Sequence, residues 1–228
     1  VNELNELDEQ HQRGTPDERG KQADVPESVG VGPHPLPWPD DPRLDAALLR
    51  DGDRRNVIDR YRYWRLEAIV ADLDERRHGF AIAIENWRHD LNIGTVVRTA
   101  NAFLAKEIVI VGRRRWNRRG AMVTDRYQHI VHVPDAVELA AYASERGYRL
   151  IGIDNLPGAV PIETTALPNN AMLLFGQERS GLTDAARGAC ELVCSIAQFG
   201  STRSINAGVA AGIAMHAWVR QHVPPPVG

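Results

Sequence analysis

From Phe80 onward, short apolar runs alternate with segments of helical periodicity, and this alternation most narrows what the chain can fold into. The runs are FAIAIE (80–85), EIVIVG (107–112), HIVHV (129–133), YRLIGID (148–154), AMLLFG (171–176) and LVCSIA (192–197). Runs this short, with apolar residues at successive positions, suit strands buried on both faces of a parallel sheet. Between them, helices are predicted over Ile93–Phe103, Ala136–Arg146, near Thr183–Ala189 and over Ile205–Gln221, the last stopped by the prolines at 224–226. The expected class is therefore α/β, a parallel sheet with helices on both faces. Ligands of such sheets sit at the carboxyl ends of the strands. Four of these ends carry polar or glycine-rich sequence: ENWRHDLNIG, GIDN, FGQERSG and AQFGSTRSIN.

The chain before Phe80 reads differently. Residues 1–42 hold seven of the fourteen prolines and few large apolar residues. Such a segment buries too little surface to offset its chain entropy, so 1–52 reads as an acidic, disordered arm. Residues 53–78 read as a helical extension, with one long helix from Val57 to Arg77 ended by Gly79. Residues 79–228 form the α/β domain.

Net charge is −3, but it is unevenly spread. Residues 1–53 carry 5 basic and 13 acidic side chains, residues 54–126 carry 16 and 9, and the remainder 6 and 8. A basic middle is where a polyanion would be met. No apolar run approaches the roughly 20 residues that span a bilayer. The start VNELNELDEQ has no signal-peptide character, so no membrane partner and a cytoplasmic setting are expected. Cys190 and Cys194 make no disulfide framework and read as packing residues.

Several chemistries are disfavoured. There is no GxGxxG opening a first helix and no GxxxxGK[ST], which argues against Rossmann and P-loop nucleotide sites. Neither HExxH nor a Cys-x-x-Cys pair occurs, so no metal is expected. Ser180 follows an arginine and forms no GxSxG elbow. His89, His129 and His132 are scattered and read as surface or core residues.

Three segments, in order and at matching spacing, resemble the signature motifs of the SpoU/TrmH (SPOUT) class of RNA ribose methyltransferases. They are Asn92-Ile-Gly-Thr-Val-Val-Arg98-Thr-Ala-Asn-Ala-Phe103, Leu174-Phe-Gly176-Gln-Glu178-Arg-Ser-Gly181-Leu182, and Ile196-Ala-Gln-Phe-Gly200-Ser-Thr-Arg-Ser204-Ile-Asn206. The likeness covers about Phe80 to His222. Ala197 and Gln198 stand where the family usually has proline and methionine, and Ala105 stands for a common glycine.

The resemblance implies a C-terminal deep trefoil knot, otherwise nearly absent from proteins. It also implies a homodimer, and methylation of a ribose 2′-hydroxyl in tRNA or rRNA with S-adenosylmethionine as donor. A short segment before Phe80 leans the substrate towards tRNA. By resemblance, Ile153, Gly176, Ile196 and Ile205 hold the cofactor, while Arg98, Asn92, Glu178, Ser204 and Asn206 form the catalytic set. Plain core packing is the alternative for the isoleucines, and helix capping for Ser204 and Asn206. A guanidinium is a poor base, so Arg98 is expected to clamp phosphate and stabilise a developing alkoxide. Arg113, Arg114, Arg115, Trp116, Arg118 and Arg119 are expected to meet RNA, with arginines on phosphates and Trp116 on an unpaired base. YRYWR (61–65) repeats the theme, although core packing suits Tyr61 better. A knotted RNA-binding module without turnover, or a base or protein methylase, are the other readings. The Asn, Arg, Glu and Ser-x-Asn set argues against the last.

Overall fold

The computed structural model describes residues 30–86, 92–177 and 180–225. It divides into two compact units, one drawn from residues up to Pro39 and from Ala46–Tyr63, the other from Asp40–Asp45 and from Trp64 onward.

In the first unit, Val31 and Asp53 exchange backbone hydrogen bonds of 2.9 Å, and His34 N–H donates to the Leu49 carbonyl at the end of helix α1 (Ala46–Asp51). Residues 30–39, expected within a disordered arm, thus have specific partners. The organising group is Asp53, fully buried. Its carboxylate accepts from the Arg55 guanidinium (2.7 and 2.9 Å) and from the backbone N–H groups of Arg55 and Tyr63 (both 3.0 Å). Burial opposes the charge, but the Arg55 and Tyr63 hydrogen bonds prevail and hold the pKa at about 2 against an ordinary 3.8. A carboxyl lowered in this way contributes stability that is complete above 3.8 and lost as pH falls through about 2. Acid titration should therefore release the Val31 and Tyr63 amide signals over that interval. Unchanged signals below it would contradict this account of Asp53.

The long helix expected over Val57–Arg77 is not formed. A 3-10 turn at Asp59–Tyr61 is followed by Tyr63 at φ 64°, and helix α2 spans only Leu66–Asp74. The apolar stripe was real but was shared between two units. Tyr61 is buried in the first. In the second, Trp64 is buried, bridged to Leu44 and covered by the Arg43 guanidinium at 4.3 Å. Neither ring is available to stack on RNA as YRYWR had suggested.

The second unit follows the predicted alternation: β1 (Ala81–Asn86), α3 (Asn92–Ala102), β2 (Ile108–Gly112), β3 (Ile130–Val133), α4 (Ala136–Glu145), β4 (Arg149–Ile153), β5 (Val160–Pro161), β6 (Ala171–Phe175), α5 (Asp184–Ala189), β7 (Leu192–Ser195) and α6 (Ala207–His222). Only the two-residue β5 had no counterpart in the apolar pattern. Among the described residues the strands form one sheet in the order β3-β2-β1-β6-β4-β7-β5, every pair parallel. β1 and β6 lie inside it and are buried throughout, whereas β3, at an edge, is mostly half-buried. Side chains of β1 alternate between two cores. Ile82 and Ile84 join the α3 and α6 residues Ile93, Val97, Met215 and Trp218, while Ala81 and Ala83 join Leu139 and Ala143 of α4 and Ala186 of α5. Among the described residues no helix is long and apolar enough to cross a membrane.

Candidate active site

Because every strand is parallel, Asn86 ends β1, and Gly176, Asp154 and Ile196 follow β6, β4 and β7, at the same carboxyl end of the sheet, on neighbouring strands. The loop after β6 is closed by its own backbone. Gln177 N–H donates to Gly181 O (3.1 Å), Gly181 N–H donates to Gln177 O (2.9 Å), and Gly181 takes φ +64°. A Cβ on Gly176 would lie 2.1 Å from the Gly181 carbonyl carbon and 2.2 Å from the Leu182 nitrogen. The close approach that Gly176 permits is thus to this loop's own backbone. Glu178, expected in the catalytic set, lies outside the described residues.

Two acidic side chains pin the loop from neighbouring strands. Asp154 accepts from Leu182 N–H at 2.7 Å. Glu85, wholly buried on the α5 side of β1, accepts from Thr183 N–H (2.8 Å) and from the Thr183 hydroxyl (2.7 Å). Thr183 in turn caps α5 by accepting from Ala186 N–H. Burial, and the Glu85 charge second, push the Cys190 thiol up to about 11, in keeping with a packing role. Glu85→Ala leaves the two donors of half-buried Thr183 without their acceptor, and a group left unpaired costs up to about 1–3 kcal/mol. A lower melting temperature and faster exchange of the Thr183 amide should follow; wild-type exchange would remove Glu85 from this role.

The third motif leaves β7 along the 154–163 segment. Ala197 N–H donates to Glu163 Oε1 (2.9 Å), a bond that the family's usual proline could not make. Asn155 Nδ2 donates to Arg203 O (3.2 Å). Gln198 Oε1 is buried with no hydrogen-bond partner among the described residues. Ile153 is buried, Ile196 and Ile205 are half-buried, and Ser204 is exposed.

Asn206 caps a helix, one of the roles the sequence allowed, and also reaches the first motif. Its Oδ1 accepts from Gly208 N–H (2.9 Å) and Val209 N–H (3.2 Å), capping α6, while its Nδ2 donates to Asn92 Oδ1 (2.9 Å) at the start of α3. The first and third motifs are joined there. The helices meet closely because Gly208 faces Thr95, where a Cβ would sit 3.0 Å from Thr95 Cγ2. Arg98 is not brought to this pair. Six residues on from Asn92, it lies about 9 Å along α3 and about 120° around it, is exposed, and has no partner among the described residues.

The arginine segment is held as firmly as the loops. Asn86 Nδ2 donates to Arg113 O (2.6 Å) and Arg115 O (3.0 Å), and Arg113 N–H donates to Asn86 O (2.8 Å). Gly94 and Gly120 permit backbone contact between α3 and this segment, since a Cβ on Gly94 would lie 2.7 Å from Ala121 N. Arg113, Arg114, Arg115, Arg118 and Arg119 are exposed around a half-buried Trp116. Glu85, Asn86, Asp154 and Thr183 were not singled out from sequence, and Gly94 entered there only as a position of the first motif. A polar residue closing an apolar strand run was the available signal for Glu85, Asn86 and Asp154.

Comparison with known proteins gives a consistent likeness. The family described as "SpoU rRNA Methylase family" matches residues 79–216. An uncharacterized tRNA/rRNA methyltransferase of Mycobacterium bovis BCG is 26% identical over 190 residues, covering 80% of this chain and 58% of the relative. The chain thus spans under two thirds of that relative's length. YacO of Bacillus subtilis, a putative TrmH family tRNA/rRNA methyltransferase, is 24% identical over 200 residues, 80% of this chain and 77% of its own. The SpoU methyltransferase AviRb from Streptomyces viridochromogenes, solved with AdoMet, superposes with TM-score 0.59 at 26% identity over 67% of this chain and 61% of its own. The A. aeolicus TrmH/SpoU tRNA modifying enzyme shares the fold, with TM-score 0.61 at 20% identity over 69% of this chain and 82% of its own.

Proposed function

Since the chain belongs to the SpoU rRNA methylase family, we propose that it transfers a methyl group from S-adenosylmethionine to a ribose 2′-hydroxyl of structured RNA. The substrate offered first is tRNA, with rRNA the other class in its relatives' names. The observation that carries the proposal is the Asn92–Asn206 hydrogen bond, which joins two motifs at the capped start of α6.

The residues present fit the cofactor. Ile153, Ile196 and Ile205 offer apolar walls, the closed 176–182 loop offers backbone groups, and Gln198 Oε1 is a buried acceptor lacking a donor. When bound, S-adenosylmethionine supplies an electrophilic methyl on a sulfonium. Arg98 donates from both arms of its guanidinium to the RNA phosphate and to the 2′-oxygen as charge develops there. The hydroxyl proton leaves to a phosphate oxygen or to water, because a guanidinium does not act as a base in proteins. Ser204 and Glu178 complete the polar set in this reading.

Arg98 on the outer side of α3 supports a homodimer in which it serves the partner's site. Exposed Val209 and Ile213, four apart on α6, form a stripe suited to that interface. A threaded C-terminus is supported by β7 lying between β4 and β5 and by the 197–203 segment emerging against Glu163 and Asn155. The reading places the protein in the cytoplasm with its RNA.

The test is transfer of labelled methyl from S-adenosylmethionine into total tRNA and rRNA, with alkaline hydrolysis of the product. A 2′-O-methyl group protects its phosphodiester, so the label should stay in alkali-stable dinucleotides. Label released in mononucleotides would mean base methylation. RNA binding without transfer would favour the knotted binding module, for which the Ala197 and Gln198 departures are the hint.

A further inference from the structure

The edge strand β3 borders a cleft that none of the three motifs explains. Its volume is about 380 Å³, within the roughly 300–1,000 Å³ of small-ligand sites. Its wall includes Ile130 and Val131 of β3, half-buried as edge residues, together with Trp116, Asp125 and Gln128 from the chain linking β2 to β3.

Gln128 is the informative residue. It is only 8% exposed, and its Oε1 accepts from Arg77 Nη1 at 3.2 Å. Arg77 is itself fixed by Asp74 (2.6 Å) and by donating to Tyr127 O (2.7 Å). A guanidinium only donates, so the amide oxygen must face it and the NH2 must point away. That NH2 is buried with no partner among the described residues, so a ligand would reach it only once a side chain over it, such as Arg118, turns aside.

Asp125, three residues earlier in a 3-10 turn that ends at Tyr127, lines the same cleft. Its side chain is 13% exposed. A site for phosphate alone would not carry a carboxylate. Arg118, exposed, bridges Trp116 (5.6 Å) and Asp125 (3.4 Å).

A flat aromatic wall, a carboxylate and an adjacent amide NH2 match one nucleobase best. Guanine presents N1–H and N2–H side by side to a carboxylate, and O6 to a donor. Adenine and cytosine each offer only one such donor group, and uracil a single N–H. We infer that this cleft receives an unpaired guanine of the RNA, with Trp116 stacking on it, Asp125 accepting from N1–H and N2–H, and Gln128 donating to O6. The base takes the place of the Arg118 guanidinium, which turns to a phosphate. The inference rests on the RNA methyltransferase reading and extends it to substrate choice.

The test uses the whole chain, isotope-labelled, titrated separately with GMP, AMP, CMP, UMP and inorganic phosphate while the Trp116 indole and Gln128 side-chain amide signals are followed. GMP should shift both and bind at least tenfold more tightly than UMP. Gln128→Glu keeps the Arg77 contact but replaces the donor with an oxygen, and should weaken GMP at least tenfold while leaving UMP unchanged. Asp125→Asn should likewise abolish the preference. Equal shifts from all four nucleotides, shifts reproduced by phosphate, or no shift at millimolar ligand each overturn the inference. Labelled-methyl transfer by the same preparation reports separately on the parent reading. Transfer without guanine preference removes only the cleft, and guanine binding without transfer removes only the enzyme.

Discussion

Arg98→Lys should lower methyl transfer by about 10²–10³-fold, the usual loss when a preorganised donor to developing charge is removed. Lysine keeps the positive charge but is a point donor, so it cannot bridge phosphate and 2′-oxygen in one plane. Arg98 is exposed and has no partner among the described residues, so the substitution should leave the melting temperature and S-adenosylmethionine affinity at wild-type values. The decisive measurement is single-turnover transfer at saturating RNA, which separates chemistry from binding. Near-wild-type turnover by the lysine variant would exclude two-armed clamping. A mixed dimer adds a sharper reading: if Arg98 serves the partner's site, subunits carrying Arg98→Lys and Asn206→Ala should recover about a quarter of the activity on random 1:1 mixing, because roughly half of the dimers are mixed and each of these has one intact site.

Gly176→Ala should be the most damaging single-methyl addition in the site. The new Cβ would fall 2.1–2.2 Å from backbone atoms of Gly181 and Leu182. Backbone cannot rotate aside as a flexible side chain would, so the loop has to open. Opening breaks the paired Gln177–Gly181 hydrogen bonds and withdraws Leu182 N–H from Asp154. Overpacking costs typically 1–3 kcal/mol, and the backbone contact puts this case near about 3 kcal/mol. For a chain of this size that corresponds to a fall of roughly 6–12 °C in Tm. Affinity for S-adenosylmethionine, measured by calorimetry, should drop at least 100-fold, since the same loop is proposed to hold it. An unchanged Tm together with unchanged affinity would show that Gly176 tolerates a side chain.

Much of the second unit was legible because its physics is local. Continuous apolar runs such as AMLLF (171–175) and FAIAI (80–84) can be satisfied only between two helical layers, and those strands are buried throughout. Asn206 was legible as a cap because a short polar residue stood before an alanine-rich helix. The stretch before Phe80 was misread for an equally physical reason. Periodicity reports which side chains need burial and not the backbone that buries them. The apolar residues of 57–77 are divided between two units, with Tyr63 at positive φ breaking the run. Asp53 gave no warning, because a buried carboxylate looks like any acidic residue until Arg55 and Tyr63 are seen around it.

Sequence alone determined the strand–helix alternation, the edge of the sheet at which the motifs gather, and the residue types gathered there. These follow from hydrophobic periodicity, encoded within a few residues, and from the shared direction of parallel strands, which puts every carboxyl end on one side. Only the tertiary structure decided the partners: Asn92 with Asn206, Glu85 with Thr183, Asp154 with Leu182, Gly94 against Gly120, and Arg77 turning the Gln128 amide. Those pairs span about 25–115 positions along the chain, and directional hydrogen bonds and backbone contacts at such separations exist only once the sheet has stacked its strands in an order the chain does not follow.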